Sequence, residues 1–127
     1  MRRRLTLTLI LLVCALAAAA SAYAATYATQ TSNGASTSSR SASGSCSVRT
    51  HYTALRLSCR GTRGAATATY AFQLPSNVVG TPAVLPVPLT GAYTTSVKVV
   101  GSTAYATITV RTGTYTLKWV NLAYYVK

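Results

Sequence analysis

The chain has 127 residues and sets twelve Lys and Arg side chains against no Asp or Glu, a formal net charge of +12 with a single histidine. Chemistry that runs on carboxylates is thereby excluded: a glycosidase carboxylate pair, a Ser/His/Asp triad and a carboxylate cage for a hard cation all lack their members. Half of the residues are hydrophobic, enough for one packed domain.

Residues 1–24 carry the three parts of a secretory signal: basic Arg2, Arg3 and Arg4, an apolar stretch from Leu5 to Ala20, and a small-residue exit at Ala22-Tyr23-Ala24. Cleavage is expected after Ala24. The stretch is shorter than the roughly 18 apolar residues of a membrane span. Val13 stands where a lipobox wants a small residue before Cys14. Cleavage removes Cys14 and three arginines, leaving nine cations: Arg40, Arg49, Arg56, Arg60, Arg63, Lys98, Arg111, Lys118 and Lys127. It also leaves Cys46 and Cys59, and an even cysteine count in an exported chain predicts one disulfide, worth about 3 kcal/mol through the short loop it closes. Buried unpaired charge is very costly, so each remaining cation is expected to face water or a bound anion.

Residues 25–44 are rich in Ser, Thr and Ala and nearly without large apolar side chains. Such a segment buries too little surface to offset its ordering entropy, and a flexible linker is expected. Residues 45–127 form the expected folded unit, and their apolar pattern has period two throughout. In Ser45–Gly61, Cys46, Val48 and Thr50 alternate with Ser47, Arg49 and His51, and the apolar set resumes at Leu55, Leu57 and Cys59 after a turn near Tyr52 and Thr53. Placing Cys46 opposite Cys59 puts Val48 opposite Leu57 and Thr50 opposite Leu55 on one face, and Arg49 opposite Arg56 on the other. Arg60 follows one step along that second face. The lone His51 falls at the hairpin tip and reads as a solvated turn residue.

The next strand shows Ala66, Ala68, Tyr70, Phe72 and Leu74 on one parity and ends at Pro75. Pro75, Pro82, Pro86 and Pro88 then exclude a central strand and predict an edge segment or a crossover. A second hairpin is predicted around Gly101-Ser102, pairing Val99 with Ala104 and Val97 with Ala106. Its inward set is Val97, Val99, Ala104, Ala106, Ile108 and Val110. The last stretch changes phase, with Tyr115, Leu117 and Trp119 on one parity and Val120, Leu122, Tyr124 and Val126 on the other. A β-bulge, or a strand buried on both faces near Asn121, accounts for the change. Trp119 is expected in the core, and of Tyr124 and Tyr125 one must point outward.

The sum is an all-β chain: a small immunoglobulin-like β-sandwich of about six or seven antiparallel strands after a cleaved signal peptide and a disordered linker. The immunoglobulin disulfide joins distant strands, whereas here the cysteines are close enough to staple one hairpin.

No enzyme is expected. Serine and lysine are both present, but no G-x-S-x-G elbow arranges them, and Gly61-Thr62-Arg63-Gly64 lacks the lysine of a phosphate loop. No cofactor, metal site or small-molecule substrate is implied. Arg49, Arg56, Arg60 and Arg63 form the candidate anion-binding cluster, since guanidinium groups suit phosphate and sulfate; the same charge also serves as a solubility surface. The expected role is that of a secreted, bacterial, possible cell-wall-associated protein binding an anionic polymer such as teichoic acid, nucleic acid or an acidic polysaccharide. A cationic toxin acting at membrane surfaces and a purely structural coat module are the alternatives.

Overall fold

A computed structural model describes residues 25–127, so the predicted export signal lies outside the described residues. Ten strands follow in chain order: β1 (Thr26–Asn33), β2 (Ser39–Ala42), β3 (Cys46–His51), β4 (Ala54–Cys59), β5 (Ala66–Gln73), β6 (Val78–Val87), β7 (Thr94–Val100), β8 (Thr103–Val110), β9 (Gly113–Leu117) and β10 (Trp119–Val126). They pair antiparallel in three sheets, ordered β1-β10-β6, β2-β5-β8-β7 and β3-β4-β9.

The two local hairpins take the register that their alternation predicts. In β3–β4, Cys46 faces Cys59, Val48 faces Leu57 and Arg49 faces Arg56, and the two cysteines are bridged. In β7–β8, Val99 faces Ala104 and Val97 faces Ala106 across a turn in which Gly101 takes φ +63°. One parity of β4, β5, β8 and β9 fills a single core, where Leu55, Leu57, Ile108 and Leu117 lose all solvent contact. Each such side chain contributes about 1.5–3 kcal/mol on burial. Replacing both cysteines by serine should lower stability by about 3 kcal/mol, read as a fall in the urea midpoint at unchanged m.

Residues 25–44 are not a free linker. All eight residues of β1 pair with β10, and β2 pairs with β5. Gln30 Nε2 donates to the Gln73 carbonyl at 2.7 Å and to Tyr124 Oη at 2.9 Å, tying β1 to two other strands. The segment is held by ladder hydrogen bonds and by small residues laid against the core, neither of which requires large apolar side chains. Eight strands, rather than six or seven, then lie in residues 45–127.

β6 contains Pro82 and Pro86 and forms the edge of its sheet, where a missing N–H is tolerated. β7 is the edge of the four-stranded sheet; Val97 is half-buried there, and Val99, expected inside, is 44% exposed because no layer covers the edge. The phase change falls at Lys118, ahead of the expected Asn121: the chain leaves β9 in one sheet and enters β10 in another. Lys118 N donates to the Val87 carbonyl at 2.8 Å and its carbonyl accepts from Gly34 N at 2.9 Å, so the break between the two sheets is stitched by backbone bonds. A separate register shift lies between Ala123 and Tyr125 against β6. Trp119, just past the break, points away from the core and is 46% exposed, because the parity that was inward through Leu117 is outward at residue 119; further along, Leu122, Ala123 and Tyr124 are all buried, so β10 is covered on both faces there. Tyr124 is buried and Tyr125 lies on the outward side.

Candidate anion-binding face

The outward parity of β3-β4-β9 carries no apolar side chain larger than alanine. Its rows run across the three strands: Ser47, Ser58 and Thr114 in one, Arg49, Arg56 and Thr116 in the next. Ser58 and Thr114 share a hydroxyl hydrogen bond of 2.8 Å. Arg60 continues the parity of Arg56 and Ser58 beyond the end of β4, its N–H bonded to the Ser45 carbonyl at 3.1 Å. Arg49, Arg56 and Arg60 are all exposed. In an antiparallel ladder, directly opposed residues stand about 5 Å apart, so Arg49 and Arg56 set two positive charges side by side. Like charges in that position destabilise the pair unless an anion lies between them.

Arg63 is not part of this row. It lies in the loop from β4 to β5, where its carbonyl accepts from Ser45 N and from Ser45 Oγ, both at 3.2 Å. Arg40 also comes close to the hairpin without joining the row: its Nη1 donates at 2.8 Å to Thr50 Oγ1, which is on the Cys46 and Val48 parity of β3. Arg40 belongs to β2, in the segment expected to be a linker, so its proximity to the hairpin was hidden; the Ser-Arg-Ser-Ala alternation of residues 39–42 was the one available signal. The remaining cations are dispersed: Lys98 on edge strand β7, Arg111 after β8, Lys118 at the sheet break and Lys127 at the end of the chain. Every one of the nine cations is exposed, and no charged residue is buried among the described residues.

The hairpin tip adds aromatic surface. Tyr52 is 88% exposed, and the His51 ring meets it edge-on with centroids 4.8 Å apart. Behind the hairpin, Tyr70 is buried and donates its hydroxyl to the Gly34 carbonyl at 2.6 Å. Burial pushes its phenol well above the ordinary value, with Arg40 pulling in the opposite sense.

A second surface lies on the outward side of β1-β10-β6, where the Tyr27 and Tyr125 rings meet at a tilt of 59° with centroids 5.5 Å apart and Trp119 stands at the other end of β10. A groove of about 330 Å³ between the start of β6 and the β7–β8 turn is lined by Leu74, Pro75, Val78, Pro82, Val99 and Ser102 among others, with no titratable side chain. The arginine row is therefore the place where charge, hydrogen-bond donors and accessibility coincide. The chain matches no family model, no curated protein and no solved structure, so the reading of this face rests on its own residues.

Proposed function

We propose that the protein is a secreted, non-enzymatic, cationic module that holds anionic polymers of the cell envelope or its surroundings on the outward face of β3-β4-β9. On this reading the domain is an immunoglobulin-like β-sandwich, with β2-β5-β8-β7 as one layer and the other two sheets as the second. The observation that carries the reading is the direct opposition of Arg49 and Arg56, with Arg60 on the same parity, in a chain that has no side-chain carboxylate to pair with them. Folding alone does not favour two opposed arginines; a bound phosphate or sulfate does.

The test is the salt dependence of binding to a soluble polyanion such as polyphosphate. Affinity should fall linearly in log–log form with salt, and each of R49Q, R56Q and R60Q should reduce the slope by about 1. R56Q should also leave the melting temperature equal or higher, since it removes the like-charge pair. Salt-independent retention, or full affinity in the triple variant, would refute the proposal.

A second reading, action at anionic membranes, is favoured by Trp119 and Tyr27 exposed on the adjoining sheet. Trp119 is the sole tryptophan, so its emission reports directly on the encounter. A blue shift with leakage of phosphatidylglycerol vesicles supports that reading, and unchanged emission removes it.

A further inference from the structure

The β3–β4 hairpin and the β7–β8 hairpin have the same two-residue connection but different residues at its first position. Gly101 fills it in one at φ +63°, whereas Tyr52 fills it in the other at φ +56°. Among the described residues Tyr52 is the only one other than glycine with positive φ. The left-handed region crowds the Cβ of any L-residue, and Gly, Asn or Asp would occupy it more easily. Nothing in the core recovers that strain, because the Tyr52 side chain is 88% exposed and lies outside the buried cluster. The fold thus holds a large ring in solvent, on a strained backbone, with His51 steadying its edge. Observed strain of this kind at an exposed position points to a contact made by the side chain.

The strands place this ring in line with the arginines. Arg49 and Arg56 lie about 10 Å back from the tip, and Arg60 about 13 Å beyond Arg56, just past the end of β4, by the rise of a strand. Hydroxyls of Ser47, Ser58 and Thr114 occupy the interval between the arginine rows. A ring followed by spaced cations and hydroxyls fits a chain that alternates planar bases with phosphates. We propose that this hairpin binds single-stranded nucleic acid, Tyr52 stacking on a base while Arg49, Arg56 and Arg60 take the phosphates that follow it. The footprint is roughly four extended nucleotides. The proposal rests on the polyanion reading above and narrows it: polyphosphate and teichoic acid supply the charge without a base to stack, and a duplex keeps its bases closed.

The experiment compares oligo-dT of about twelve nucleotides, polyphosphate of equal charge and a duplex of the same length, each titrated by anisotropy or calorimetry against the purified protein and its Y52G and Y52F variants. Y52G suits the backbone conformation and should melt at an equal or higher temperature, so folding does not confound the result. Oligo-dT should bind at least about 10-fold tighter than polyphosphate or duplex; Y52G should erase that advantage without changing polyphosphate affinity, and Y52F should retain it. Equal binding of all three polyanions, or a Y52G variant with unchanged oligo-dT affinity, overturns the nucleic-acid assignment and leaves the polyanion reading intact. Absence of binding to every polyanion at low salt overturns both.

Discussion

Gly34→Ala should remove a large share of the stability of the fold, about 4 kcal/mol or more of a total expected in the range of 5–15 kcal/mol. Gly34 is buried at the point where β1 meets the break between β9 and β10. A Cβ built there would stand 1.9 Å from the Leu117 carbonyl oxygen and 2.9 Å from Leu55 N, both backbone atoms that cannot swing aside. The demand for glycine is one of space, and the whole junction must move to admit a methyl group. Several bonds would move with it: Gly34 N to the Lys118 carbonyl at 2.9 Å, Ala35 N to the Thr53 carbonyl at 3.0 Å, and the Tyr70 hydroxyl to the Gly34 carbonyl. The second of these holds the turn that presents Tyr52, so loss of the junction also loosens the candidate site. Gly101→Ala is the control, since nothing lies within 4 Å of its added Cβ and only the positive φ is strained, at about 1 kcal/mol. Urea unfolding of the two variants separates the effects; a G34A variant within about 1 kcal/mol of the parent would show that β1 does not dock against the β4–β9 edge.

Stability should be nearly flat in acid and should fall steeply in alkali. Acid unfolding of proteins proceeds largely through carboxylates that are paired when folded and must be protonated, and this chain has no side-chain carboxylate. The alkaline limb comes from phenols. Burial raises Tyr115 above its ordinary value of 10.0, with Tyr93 and Tyr70 adding to the effect, and burial likewise raises Tyr70. Tyr115 donates to the Pro88 carbonyl and Tyr93 to the Leu89 carbonyl at 2.5 Å, so both hydroxyls are also engaged in their protonated forms. A raised pKa means that the folded state keeps its proton where the unfolded state has lost it. The stabilisation is therefore complete below pH 10 and disappears as pH climbs from there through the raised folded-state values. Each buried phenol therefore withdraws stability progressively as pH rises above 10, and the melting temperature should fall in step. Thermal melts from pH 3 to 12 test the asymmetry, and Y70F should show a shallower alkaline slope than the parent. A cooperative unfolding transition near pH 4, or a flat alkaline limb, would contradict the argument.

Contacts between near neighbours were legible in the amino-acid order. Cys46, Val48, Leu55, Leu57 and Cys59 determine their own hairpin face because period-two alternation and a two-residue turn leave one register, and the opposition of Arg49 and Arg56 follows from it. The buried parity of β5 and the outward direction of the cations were decided the same way, by the cost of placing charge inside or apolar surface outside. Tertiary structure alone decided what depends on distant pairing. β1 is held by β10, so Thr26 lies opposite Val126 across almost the whole described chain, and no local pattern records a partner at that separation. The same docking makes Gly34 indispensable for space beside the break at Lys118 that leaves Trp119 facing water, and the pairing of β2 with β5 brings Arg40 to Thr50. In each case an element's own side chains state which face is apolar, while which element covers that face, and which positions are left at an edge, depends on how the three sheets close around one core.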